Sequence, residues 1–256
     1  MKRTRLLLII LALLPLCPAA ITATRAGEEA GAQELFARAN ASYSRGDFDG
    51  AIRDYRRIVH RYGVSAALLY NLGNALAVSG DTGRAVLNYE RALRLAPGDQ
   101  DIRSNLYHVR RNDGLYLEDQ PLYRRAAGLL QADQWALTCG ICLVLLAISM
   151  LLPLLPGRIP RPVIRGIALV CLAGLTISLA AALYTYRDWN DGVVITDRAR
   201  LLISPFTGAA SSGSIRAGRL VRPGRTFGGF VLVTDETGRS GWLHASDIAL
   251  ITRPAR

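Results

Sequence analysis

Two stretches of 21 residues without a single charge, Trp135 to Leu155 and Gly166 to Tyr186, limit this 256-residue chain more than any other feature. A soluble domain distributes apolar residues at the period of a helix or a strand, and these stretches do not. At the rise of an α-helix each covers about 30 Å, the thickness of a bilayer's hydrocarbon core. The expectation is a multidomain membrane protein: an all-α module, a two-helix transmembrane hairpin at 135–155 and 166–186, and a small all-β barrel. The loop 157–165 between the spans is too short for a domain and carries Arg158, Arg161 and Arg165 with no acid.

Such a loop belongs in the cytoplasm by the positive-inside rule, which leaves both flanking modules outside. The N-terminus argues the same way. Lys2, Arg3 and Arg5 precede the apolar run Leu6 to Leu14, and Ala19, Ala20, Ala23 and Ala26 follow, the pattern of a signal peptide over 1–26. Leu16 stands before Cys17, where a lipidation site wants a small residue. Arg124 and Arg125 count weakly against this topology and are outweighed. The expected location is a bacterial inner membrane with both large modules periplasmic. The net charge of +11 divides into +4 from Lys2, Arg3, Arg5 and Arg25 of the leader and +2, +2 and +3 over 28–112, 113–187 and 188–256, so no basic stripe for nucleic acid exists.

Between the leader and the first span, Gly46 aligns with Gly80, Ala51 with Ala85, Tyr55 with Tyr89 and Ile58 with Ala92, all at an offset of 34. With Leu72-Gly73 and Pro97 this resembles the tetratricopeptide repeat, whose period is 34. The resemblance implies helix pairs over about 32–65 and 66–99, a capping helix at 100–111 and a domain spanning 28–112, followed by a linker at 113–134. Arg38 and Tyr107 depart from the pattern, replacing a Leu and a small residue. Such arrays hold extended peptides on the concave face of their first helices, and the register points Phe36, Asn40, Tyr43, Tyr70, Asn71 and Asn74 there. Asn can donate to and accept from a peptide backbone at once. The alternative is that Tyr43, Tyr70 and Asn71 serve packing and capping.

From Gly192 onward, short β-rich runs recur about every ten residues, separated by Gly, Pro and Ser. Gly218, the turn Asp235-Glu236-Thr237-Gly238, Gly241-Trp242-Leu243 and Ser246-Asp247 resemble a bacterial SH3 domain over 190–252. The resemblance implies a ligand shelf of Phe206, Phe227, Phe230 and Trp242, with Trp242 equally plausible as core. His244 reads as a surface or turn residue.

Chemistry is sparse. His60, His108 and His244 stand in separate contexts, and no serine-hydrolase elbow, zinc-protease helix, P-loop or dinucleotide fingerprint occurs. Cys139-Gly140-Ile141-Cys142 has the spacing of a redox dithiol, with Cys171 in the other span, so a membrane thiol oxidoreductase is conceivable. An apolar helix offers nothing to stabilise a thiolate, and small thiols are common packing residues between membrane helices. The expectation is a structural role, no enzyme activity, no metal and no cofactor.

The order of these parts, and Ala132-Asp133-Gln134-Trp135-Ala136-Leu137 at the start of the first span, resemble the BatE-type proteins of the bacterial aerotolerance (Bat) operon. That implies a scaffold beside von Willebrand A-domain membrane proteins and, indirectly, a MoxR-type ATPase. A peptidoglycan-binding anchor acting through the barrel is the competing class.

Overall fold

A computed structural model describes residues 18–115, 126, 130, 132–151, 160–187 and 191–252. The first 17 residues of the expected leader, most of the expected linker with Arg124 and Arg125, residues 152–155 of the expected first span, and Arg158 lie outside these. Two compact units divide the chain, 1–64 and 65–256.

The first unit is a helix pair, α1 (Pro18–Ser44) and α2 (Phe48–Tyr62). Gly46 ends α1 at φ +81°, where a β-carbon would be strained, and the Asp47 carboxylate caps α2 by accepting from Gly50 N–H. Ala39 and Ala51, fully buried, let the helices approach, and Tyr55 is buried beside them.

The second unit repeats this plan in α3 (Ala66–Val78) and α4 (Thr82–Leu95). Gly80 stops α3 at φ +84°, Asp81 caps α4 at Arg84 N–H, and Gly73 and Ala85 take the small positions. A β-carbon on Gly73 would lie 2.8 Å from the Tyr89 ring, so here the approach requires glycine. Next comes α5 (Gln100–Asn112), capped by Asp99 and stopped by Gly114 at φ +63°, one period beyond Gly80. Leu115 N–H donates to Arg110 O at 2.7 Å, as Asp47 N–H does to Ser42 O and Asp81 N–H to Leu76 O. Thus α5 ends as a repeat's first helix ends, a full period after α3.

The apolar helices are α6 (Ala132–Leu151) and α7 (Arg161–Arg187), which pack against each other and are long and apolar enough to cross a membrane. Leu137, Met150, Leu169 and Val170 lie among their exposed residues, while Ser149, Ser178 and Cys171 are buried. The buried serines donate to their own helices at Leu146 O and Leu175 O. One boundary differs from expectation: α7 takes in 161–165 of the expected loop. Pro162 is compatible with this, since proline is tolerated in a helix's first turn, where its missing N–H costs nothing.

The rest of the second unit is an antiparallel β half-barrel: β1 (Gly192–Val194), β2 (Ala199–Leu202), β3 (Ser211–Ile215), β4 (Leu220–Phe227), β5 (Phe230–Asp235), β6 (Ser240–His244), a 3-10 turn Ala245–Asp247 and β7 (Ile248–Leu250). The sheet order is β3-β2-β6-β5-β4-β1-β7. Its core is Val194, Ala199, Leu201, Ile215, Val221, Val233 and Leu243. The Asp235 carboxylate, buried, holds the β5–β6 turn by accepting from Thr237 and Arg239 N–H and from both of their side chains. Burial pushes its pKa up, but these donors win and hold it below the ordinary carboxylate value.

Candidate functional site

Five of the six residues expected on the repeat face, all but Asn71, contact residues of their own helix pairs. In the first unit the Phe36 ring lies 5.9 Å from that of Tyr55, Tyr43 meets Phe48 edge-on at 5.3 Å, and Tyr55 Oη donates to Asn40 Oδ1 at 2.5 Å. Burial, with Tyr43 adding to it, pushes the Tyr55 hydroxyl up to about 12, so it stays a donor. In the second unit Tyr70 lies 6.1 Å from Tyr89, and Tyr89 Oη donates to Asn74 Oδ1 at 2.7 Å. These are the same contacts displaced by 34 residues.

Asn105 of α5, which sequence reading passed over, donates to Asn74 Oδ1 at 2.9 Å and to Tyr70 Oη at 3.0 Å. Its signal was present: it stands 34 residues after Asn71, which is half-buried and also engaged. Asn40 and Asn74 are half-buried, with their amide oxygens already engaged. Each amide oxygen accepts from a buried tyrosine, because a tyrosine wedged between two helices needs a partner for its hydroxyl.

On the half-barrel, pairing puts Phe227 opposite Phe230, Phe230 opposite His244, and Leu232 and Leu202 each opposite Trp242. Side chains alternate along a strand, so three of the four shelf aromatics share the sheet face away from the core cluster. Trp242 is half-buried there and is not a core residue. Phe230 is buried against the His244 ring, and Phe227 is exposed. Phe206 is exposed on the loop 203–210, which leaves β2 at the other end of the sheet, so the four do not form one shelf. His244 caps the 3-10 turn.

What no motif announced is the junction between the repeat helices and the half-barrel. Arg110, at the end of α5, donates to Glu236 Oε1 at 2.9 Å and lies 3.7 Å from Glu90 Oε1. Arg219 faces Glu236 Oε2 at 3.9 Å. Both Arg110 and Glu236 have side chains little exposed. Burial pushes the Glu236 carboxyl upward, Arg110 and Arg219 pull it back, Glu90 adds to the rise, and the net shift is up. Arg91 of α4 donates to Leu250 O and Ile251 O at the end of β7, and its burial lowers its pKa to about 10. A β-carbon on Gly83 would sit 2.8 Å from Ile195 Cα, and one on Gly218 would sit 2.6 Å from Leu115 Cδ1. Helix and strand backbones meet directly. The half-barrel follows α5 where a second helix follows α1 and α3.

Cys139, Cys142 and Cys171 are not joined in a disulfide. A β-carbon on Gly174 would meet Cys142 Sγ at 3.0 Å, so this thiol packs into the space a glycine leaves between α6 and α7. Among the described residues no three His, Cys, Asp or Glu side chains gather in a way that could hold a metal ion.

Residues 36–100 match the tetratricopeptide repeat family, across both helix pairs and the start of α5. The chain matches none of the curated proteins. The repeat region is thus a protein-interaction module on a chain with two helices able to anchor it in a membrane.

Proposed function

We propose that this protein is a non-enzymatic membrane scaffold, in which the hairpin α6–α7 anchors a body made of the second helix pair, α5 and the half-barrel, and the repeats recruit other membrane or extracytoplasmic proteins. The observation that carries the reading is the junction at Arg110, Glu236, Arg219, Arg91 and Gly83. It joins a module before the hairpin to a module after it, as two crossings of one bilayer require if both modules lie on the same side. A redox centre finds no support in a Cys142 thiol packed on Gly174.

The signal-peptide pattern and the basic loop assign that side to the periplasm. The bacterial SH3 resemblance and the BatE-type order of parts assign the partners to von Willebrand A-domain Bat proteins, with a MoxR-type ATPase acting indirectly in stress or aerotolerance. Alkaline phosphatase fused after residue 112 or 256 is expected to be active, and inactive when fused inside 158–165; the reverse pattern inverts the hairpin. Affinity purification of the full chain from native membranes is expected to recover von Willebrand A-domain proteins. Recovery of no protein, with retention on murein sacculi, would replace the scaffold by the peptidoglycan anchor.

A further inference from the structure

We infer that the β4–β5 hairpin tip, Phe227-Gly228-Gly229 with Arg225 beside it, is a second membrane contact that seats the half-barrel on the surface of the bilayer crossed by α6 and α7. The inference rests on those helices spanning a bilayer and goes beyond the scaffold reading.

The direction of the strands carries it. Gly192 pairs with Val221 and Val193 with Leu220, so β1 runs antiparallel to β4. The chain arriving from α7 therefore enters the half-barrel from the end toward which β4 runs, and that end carries the tip. Phe227 lies six residues beyond Val221, about 20 Å along the strand direction. Four residues, 188–191, join α7 to β1, and a chain of that length spans at most about 17 Å. The reach of the tip thus matches the longest possible separation of Gly192 from the end of the membrane helix.

The opposite end of the sheet is already occupied. The β5–β6 turn with Glu236, the β3–β4 turn with Gly218 and the end of β1 before Ile195 all dock on α4, α5 or Leu115. At the end that receives the chain from the membrane, α4 reaches only as far as the Leu250 and Ile251 carbonyls, level with Gly192, and the tip, six residues farther along β4, lies beyond that contact.

The chemistry of the tip suits an interface. Gly228 and Gly229 have φ of +55° and +84°, a tight two-residue turn that projects its flanking side chains outward. Phe227 is 62% exposed although its cross-strand partner Phe230 is buried. Arg225 is exposed on the same hairpin. An aromatic ring at the acyl boundary with a guanidinium at the level of the lipid phosphates is the arrangement of interfacial anchors. Phe206 has nearly the same exposure at the other end of the sheet and serves as an internal control.

The test uses the full chain with its four native cysteines replaced, reconstituted in phosphatidylcholine and phosphatidylglycerol vesicles and carrying one environment-sensitive fluorophore on a new cysteine. Phe227→Cys is compared with Phe206→Cys, and Val170→Cys on the exposed side of α7 reports insertion. Shallow spin-labelled lipids are expected to quench the Phe227 label at least roughly twofold more than the Phe206 label, with a blue shift at Phe227 alone. Thr226→Cys, also exposed, reads the same tip if the ring itself is needed for the hairpin. Equal or reversed quenching at the two ends overturns the proposal while leaving the spanning helices intact. Loss of quenching at Val170 overturns the spanning helices and the proposal together.

Discussion

The two helix pairs, 32–65 and 66–99, are built on one plan, and each difference between them answers a local demand. Position 49 is an exposed Asp at the start of α2, whereas its counterpart 34 residues on is Gly83, buried under the backbone of the half-barrel. Ala39 lies by Tyr55 in the first pair, whereas Tyr89 packs so near its helix that only Gly73 fits. Arg38 and Asp54 form a two-point ion pair, 2.7 and 2.6 Å, where the second pair has Leu72 and Asn88. A period in the sequence therefore specifies a shape, and the departures from it mark what each copy touches.

Exchanging residues between the copies breaks or sharpens that comparison. The largest effect is expected for Gly83→Asp, which gives the second pair the residue of the first. The new side chain meets backbone that cannot give way, so docking of the half-barrel should be lost, at a cost above about 3 kcal/mol. An acid in the first turn of α4 favours the helix, so the loss cannot come from helix propensity. Limited proteolysis should cut between the half-barrel and the repeats, while Asp49→Gly should leave the first pair within about 1 kcal/mol of wild type. Unchanged protease resistance in Gly83→Asp would refute the docked arrangement.

Gly73→Ala comes next. Overpacking against Tyr89 costs about 1–3 kcal/mol, against about 1 kcal/mol gained in helix propensity. A net destabilisation is expected by thermal unfolding; a stabilised variant would show that the Tyr89 ring yields easily.

Tyr89→Phe and Tyr55→Phe should each cost about 1 kcal/mol for the lost hydrogen bond. They differ in reach. The first disturbs Asn74, Asn105 and Tyr70 and should speed amide exchange in α5, whereas the second should act within α1 and α2. Identical exchange in α5 for both variants would deny the network.

The smallest effect at neutral pH belongs to the double replacement Arg38→Leu with Asp54→Asn, because Arg38 is more than half exposed and solvent screens the pair. Its signature is acid tolerance. The hydrogen bond from Arg38 holds the Asp54 carboxyl below its ordinary value, against the opposing effect of burial. A depressed carboxyl contributes stability above its unfolded pKa that disappears as pH falls through the folded one. The wild-type first pair should thus lose this contribution on acidification, and the double variant should not. Parallel acid titrations of the two, followed by circular dichroism, decide it.

Much of the architecture is legible along the chain because its signals are local. The 34-residue recurrence, the glycine stops at 46 and 80, and the charge-free runs each depend on neighbours within a turn or a span. Gly114 and Asn105 continue the same period and mark α5 as a repeat's first helix, although Tyr107 in a small position disguises it. On the half-barrel, strand alternation orders the aromatics, but the loop leaving β2 carries Phe206 to the other end.

The sequence by itself determined which segments are helical repeat, apolar helix and β-structure, because period, capping and hydrophobicity act between residues close together. Only the tertiary structure decided that the half-barrel stands against α4 and α5 after the last repeat helix, and that the asparagine oxygens of the repeat face serve their own tyrosines. Those outcomes depend on groups such as Arg110 and Glu236, 126 residues apart, whose encounter is set by packing and burial rather than by any pattern along the chain.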